Sequence, residues 1–350
     1  MQAARWYAAR DVRVEEVAER PLQPGEVRLQ VKWCGLCGSD LHEYTHGPVL
    51  IPTRPHPLTG KVPPVTLGHE FAAEVVEVGP QVTAWQVGDR VTASACLVCH
   101  RCPWCRAGRF NLCERLGSIG LCADGAFAEQ VVVPDYTLFR LPEGLSWEAG
   151  ALAEPAAVAL HACKQGRLQP GDTVAVVGAG PIGLLVLQAA RSCGAARVFV
   201  VEPVAGRRRL AEALGAEAAL DPTAVAVDRE IHQRTGGLRA EVVFECVGTP
   251  PAVETAVKLA GKGGRVVLVG IYTQASPLAW GRIQAHEKTL VGASAYTDEF
   301  PLALAMLADG RLQAAPLVTD RIPLRDLATR GLQQVLAEPD RHVKILVSPQ

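Results

Sequence analysis

The 350-residue chain has almost no excess of charge: 35 Lys and Arg stand against 36 Asp and Glu, a formal net charge of −1 at pH 7. No global field draws it to nucleic acid or to an anionic membrane, and a small molecule is the expected partner. Low-complexity tracts and internal repeats are missing too. The 33 glycines are spread along a sequence that is 49% hydrophobic and 20% charged, a profile that excludes disorder and favours a folded chain. The opening stretch MQAARWYAARDVRVEE lacks the continuous apolar core of a secretory signal, so a cytoplasmic location is expected. The longest uncharged run, residues 173–190, nears membrane-spanning length but is interrupted by Gly178, Gly180, Pro181 and Gly183, and it is read as no membrane anchor. Length favours two domains of roughly 150 residues each.

A disulfide framework is also not expected, because eleven cysteines is an odd number and the composition fits a reducing compartment. Four of them crowd into CHRCPWCRAGRFNLC as Cys99, Cys102, Cys105 and Cys113. Four thiolates at such spacing can close a tetrahedron around one zinc ion, the arrangement of a structural site, whereas catalytic zinc keeps an open position. Arg101, Arg106 and Arg109 flank the ligands and can soften the negative charge of a four-thiolate site, and Gly108 permits the tight reversal before the last ligand. Cys96 lies just outside the pattern. Cys122, Cys163, Cys193 and Cys246 are isolated and are expected to pack in the core.

Three further segments carry candidates for a second metal site. CGLCGSDLHEY contains Cys37 on a glycine-flanked loop, LGHEFAAEVVEVG contains His69 and Glu70, and ALAEPAAVALHAC places Glu154 in an apolar run. A carboxylate in that last setting is costly without a cation to satisfy it. Cys37 thiolate, neutral His69 and one carboxylate balance a zinc ion and leave its fourth position to water or substrate. Two carboxylates together with Cys37 would leave the site net negative, so Glu70 and Glu154 are expected either to alternate or to have one of them stand behind the ligands. Ser39 can accept the proton of an alcohol, and His42 can pass it to solvent, because an imidazole titrates near neutral pH.

The segment DTVAVVGAGPIGLLVLQAARSCGAARVFVVEP reads as strand Thr173 to Val177, a turn Gly178-Ala179-Gly180-Pro181-Ile182-Gly183, a helix, and a second strand Val198 to Val201 ending at Glu202. In that context the glycines form a dinucleotide-binding turn: Gly178 bends the chain, Gly180 admits the pyrophosphate, and Gly183 lets helix meet strand. Glu202 suits the ribose hydroxyls of NAD and repels the 2′-phosphate of NADP, although Arg207, Arg208 and Arg209 follow it closely. Two more apolar stretches, residues 240–248 and 263–271, read as buried parallel strands, and Val247, Val269 and Gly270 near their ends are candidates for cofactor contact.

These motifs together make the chain resemble the zinc-dependent medium-chain alcohol and polyol dehydrogenases. They comprise the GHE of residues 68–70 with GDRV downstream at 88–91, the four-cysteine lobe and the Glu154-Pro155 segment. The resemblance implies an N-terminal GroES-like β-domain (residues 1–150), an inserted Rossmann domain with a doubly wound parallel sheet (151–294), and a C-terminal return to the first domain (295–350), with an active cleft between the two. It also implies Cys37, His69 and Glu154 around a catalytic zinc, Glu70 as a fourth or exchanging ligand, the four clustered cysteines around a structural zinc, and assembly as a homodimer or homotetramer. The proline-rich stretch between Cys37 and His69, and YTDEFP at 296–301, are similar to the 2,3-butanediol dehydrogenase branch. That makes a small vicinal diol the first expectation for substrate. Sorbitol, threonine and broad secondary-alcohol dehydrogenases share most of the motifs, and a nicotinamide-binding protein without turnover stands as the reading from outside catalysis.

Overall fold

The computed structural model describes residues 1–338 and 340–349. They form two compact units, one of residues 1–154, 300–309 and 318–350, the other of residues 155–299 and 310–317. The first boundary falls inside the helix Ala153–Gln165, between Glu154 and Pro155. The short return of residues 310–317 to the second unit carries no signal in the sequence. Among the described residues no helix is long and apolar enough to cross a membrane.

The first unit is mostly β. A mixed sheet runs Leu138–Arg140, Arg90–Ala93, Glu70–Val78, Glu26–Gly35, Lys344–Ser348, Val318–Pro323, with Gln130–Pro134 also paired to Glu26–Gly35. A three-stranded sheet of Asp11–Glu16, Gln2–Ala8 and Val65–Thr66 accompanies it. Alternating apolar residues such as Val27, Leu29 and Val31 meet Phe71, Ala73 and Val75 in one buried core with Trp6, Phe127 and Val347, the inward face that period-two patterning predicts. The strand Glu70–Val78 breaks that alternation at its start, where residues 70–73 are all buried. The last strand, Lys344–Ser348, joins the middle of this sheet against Cys34 and Gly35. The C-terminal segment therefore completes the unit that the N-terminal segment begins.

The second unit carries a six-stranded parallel sheet in the order Ala218–Leu220, Arg197–Val201, Thr173–Val177, Ala240–Glu245, Ala260–Leu268, Thr289–Gly292. Its central strands are runs of Val, Ala and Phe buried on both faces, as helical cover on both sides of a parallel sheet requires. The order reverses beside Thr173–Val177, the switch point at which such sheets hold nucleotides. Of the four isolated cysteines expected in the core, Cys122 and Cys163 are buried, Cys246 is partly buried and Cys193 is exposed; Cys193 is the clear departure. It caps the C-terminus of helix Pro181–Ser192, where the last turn runs out of the core.

Candidate metal centre and cofactor site

Cys37 is the N-cap of helix Gly38–His46, and its backbone N–H donates to the Asp40 carboxylate at 2.9 Å. This local closure sets the sulfur at the helix entrance. His69 follows Gly68, whose φ of +95° and close approach to Phe127 and Cys34 leave no room for a side chain. Glu70 then opens the strand Glu70–Val78, opposite Gly35. A Cβ on Gly35 would collide with the Glu70 carboxylate, so this glycine makes space for a buried acid. Ligand atoms of Cys37, His69 and Glu70 all lie within 4.8 Å of one another. Two separate segments thus converge. Glu154 is buried as well. Its charge acts on His69 and on Lys344, but it stands outside the tight group of three.

Two buried residues that the sequence reading passed over complete the centre. Lys344 directs its ammonium to Glu70 at 2.6 Å and to the Leu36 carbonyl at 2.9 Å. Asp40, fully buried, places its second oxygen 3.9 Å from His69 Nδ1. Burial pushes the Asp40 carboxyl up from its ordinary range. Burial by itself would push His69 down, yet the charges of Cys37 and Asp40 outweigh it and raise the imidazole well above its ordinary value. The donor set is therefore anionic enough to call for a cation. Among the described residues, His69 Nδ1 and one Glu70 oxygen are also buried without a hydrogen-bond partner. Both observations fit a zinc ion at this point, and the thiolate, imidazole and carboxylate chemistry suits that metal.

Ser39 is buried, with its hydroxyl 3.4 Å from His69 Nε2. His42 lies three residues further along the same helix, on the same face. Burial, with the neighbouring His46, lowers the His42 pKa, leaving a neutral imidazole that can accept a proton. Its Nδ1 has no hydrogen-bond partner among the described residues.

The four-cysteine lobe forms as a separate cluster, with all four sulfurs within 4.8 Å of one another and Cys96 outside the group. Backbone amides point at the sulfurs: Cys99 N–H donates to Cys113 at 3.3 Å, Cys105 N–H to Cys102 at 3.5 Å and Arg115 N–H to Cys113 at 3.4 Å. Such amides favour thiolate, and the one from Arg101 is the main influence bringing Cys99 down to about 6. Arg109 stacks its guanidinium over Trp104, 5.2 Å from the ring centre.

In the second unit the glycine turn has the geometry its spacing predicts. Gly178 has φ +95° and its absent Cβ would lie 2.6 Å from Val247 Cγ2. Gly180, the N-cap of helix Pro181–Ser192, has nothing within 4 Å of its Cβ position, so open space remains where a pyrophosphate would meet the helix N-terminus. A Cβ on Gly183 would strike the Gly178 carbonyl. Glu202 is buried and accepts N–H bonds from Ala179 at 2.7 Å and Val204 at 2.9 Å, which ties the glycine turn to the end of the next strand. Arg208 is ion-paired with Asp221 at 2.9 Å, whereas Arg207 is half-buried. A further carboxylate missed in the sequence, Glu245, is fully buried at a strand end. It accepts from the amides of Val247 and Gly248 and from the Tyr272 hydroxyl, shaping the turn that carries Val247. Val269 and Gly270 hydrogen-bond through their amides to the Glu245 carbonyl.

A metal-binding β unit joined to a dinucleotide-binding parallel sheet defines a class, and comparison with known proteins agrees with it. Residues 23–143 match the alcohol dehydrogenase GroES-like domain and residues 181–309 the zinc-binding dehydrogenase family. The chain is 43% identical to the (R,R)-butanediol dehydrogenase of Bacillus subtilis, with 100% of each chain covered. It is 32% identical to the sorbitol dehydrogenase of the same organism, over 100% of this chain and 97% of the other. The crystal structure of 2R,3R-butanediol dehydrogenase from Bacillus subtilis superimposes with a TM-score of 0.92 at 42% identity, covering 100% of this chain and 99% of that one. The chain belongs to the zinc-binding alcohol and polyol dehydrogenases, oxidoreductases that use a nicotinamide cofactor.

Proposed function

We propose that this enzyme interconverts a small vicinal diol, 2,3-butanediol or a close analogue, and its hydroxyketone, with NAD as hydride acceptor. The observation that carries the reading is the convergence of Cys37, His69 and Glu70 in one largely buried cluster, in a chain similar along its full length to a butanediol dehydrogenase. Cys37, His69 and one of the two glutamates would hold zinc, which would supply a Lewis acid that lowers the pKa of the substrate hydroxyl, as it lowers that of bound water to about 7. Lys344 offsets the charge of Glu70, which would let either Glu70 or Glu154 serve as a ligand of one cation. Asp40 orients His69. Ser39 accepts the alcohol proton and His42 carries it to solvent, and the glycine turn would hold the nicotinamide cofactor that would supply a hydride acceptor. Cys99, Cys102, Cys105 and Cys113 would hold a second zinc ion, which would stiffen their lobe.

The cofactor preference rests on Glu202, which retains acceptor capacity for ribose hydroxyls after its two amide bonds. Arg208 is committed to Asp221 and is not free to receive a 2′-phosphate. The deciding experiment is an assay of nicotinamide reduction on a panel of 2,3-butanediol stereoisomers, sorbitol, threonine and simple secondary alcohols, with NAD and NADP in parallel. The expected result is the highest kcat/KM on a butanediol isomer with NAD. Preference for sorbitol, or no turnover on the panel by zinc-replete protein, overturns the proposal. Light scattering on the same preparation reads the expected homodimer or homotetramer directly.

A further inference from the structure

The cofactor turn occupies the C-terminal ends of the parallel strands. At the opposite end, where Ala240–Glu245 and Ala260–Leu268 begin, lies a cavity of about 480 Å³. Arg239, Lys262, Arg265, His232 and His286 line it, and Glu241 is the one acidic residue of its wall. Two of these charges are already committed. Arg265 pairs with Asp172 at 2.9 Å, and Glu241 accepts the Thr173 amide at 2.7 Å.

The remaining cations have no such partners. Arg239 donates to the Lys258 carbonyl, and exposed Lys262 forms no ion pair among the described residues. Lys288 is buried, and its ammonium donates to the carbonyls of Val257 and Ala260, each at 2.7 Å. Arg282 adds a fourth charge, partly offset by Glu254. The field of this cluster registers on its members. Burial together with Arg282 and Arg239 brings Lys288 down to about 8. Burial, then Lys288, Lys262, Arg282 and Arg239, holds His286 below its ordinary value. Like charges gathered with few counter-charges cost free energy. In a chain whose charges otherwise balance, such local conflict marks a site that a ligand relieves.

We propose that this cavity binds a small multivalent oxyanion of the phosphate class, held by Arg239 and Lys262, at the end of the sheet remote from the glycine turn. The cavity is of a size that takes a small ligand, and the guanidinium and ammonium provide charge-assisted donors that suit phosphate oxygens. Nothing in this site takes part in the dehydrogenase reaction, so the proposal stands or falls apart from the substrate assignment.

The test titrates inorganic phosphate into the full-length zinc enzyme saturated with NAD, so that the glycine turn is already occupied. Isothermal calorimetry reads the binding, with ionic strength held constant by chloride. One saturable site per chain is expected, with binding weakened about tenfold or more by Lys262→Glu and by Arg239→Glu, and by a smaller factor in Lys262→Ala. The KM for NAD should be the same in all these variants. Lys262 is exposed, so its substitutions do not threaten folding, and the pair of variants at that position keeps the outcome readable. Absence of saturable binding up to about 10 mM phosphate, or binding that the Lys262 variants leave unchanged, overturns the proposal.

Discussion

The Lys344 ammonium lies 2.6 Å from a Glu70 carboxylate oxygen, and each side chain is 1% exposed. The two residues are 274 positions apart in sequence, so a strand near the end of the chain neutralises an acid at the metal centre built by its beginning. A buried pair of this kind is weak evidence of net stabilisation, but removing one partner strands the other. Lys344→Met should therefore destabilise the protein by about 3–5 kcal/mol in urea unfolding and lower its zinc content. Combining it with Glu70→Gln should recover part of the lost stability. A single Lys344→Met variant as stable as its parent would show that the ammonium does not hold the Glu70 charge.

The two cysteine sites should separate by metal analysis. The parent is expected to hold about two zinc ions per chain. Cys37→Ser should lose one ion and its activity while circular dichroism and melting temperature stay close to those of the parent. Cys102→Ser should lose the other ion and melt lower, because binding energy at a closed four-thiolate site is folding energy. Equal stability of the two variants would argue against the division into catalytic and structural sites.

Ser39→Ala should lower kcat by about 10²-fold, the scale of a lost proton acceptor, with little change in the KM for NAD. His42→Ala should cost less, because water can substitute at the outer end of a relay. Stopped-flow measurement of NADH formation with deuterated substrate checks the assignment. A large kcat loss without any change in the pH profile would place Ser39 in substrate positioning instead.

Acid stability should report on Glu299. Burial opposes its ionisation, but the 2.9 Å bond to His161, the Thr297 amide and the His161 and Lys164 charges prevail and hold its pKa at about 2. In the unfolded chain the same carboxyl titrates near 4.3, so between those values the unfolded state binds more protons. The contribution to stability is therefore full above about pH 5 and fades as pH falls toward 2. Glu299→Gln should be less stable than the parent by roughly 1–3 kcal/mol at pH 7. The gap in urea midpoints should narrow below pH 4.5. A gap that stays constant down to pH 3 would remove Glu299 from the acid response.

Much of both sites was legible because the physics involved is local. The turn Gly178 to Gly183 and the lobe Cys99 to Cys113 each lie within a few residues, and their spacing alone restricts the backbone to a form that can hold phosphate or metal. Cys37 and His69 were legible as types, each beside a glycine. Asp40 carried a signal that went unused, a carboxylate at the third position of a helix whose N-cap is Cys37. Lys344 carried another, a lone cation in the apolar run HVKILVS, the same kind of anomaly that drew attention to Glu154. Glu245 gave less, since an acid at the end of a buried strand reads equally as the strand's exit to solvent.

By itself the sequence determined the element types, the two ligand-bearing motifs and the cofactor turn, because periodicity and short spacing act through neighbouring backbone. Only the tertiary structure decided that Cys37, His69 and Glu70 close to within 4.8 Å and that Lys344 supplies the compensating charge. Only it left Glu154 beside that group without joining it. Those outcomes depend on how strands far apart in sequence are aligned in one sheet. A shift of one residue in such an alignment turns a ligand from the core to the opposite face, and nothing in the local sequence around the ligand records it.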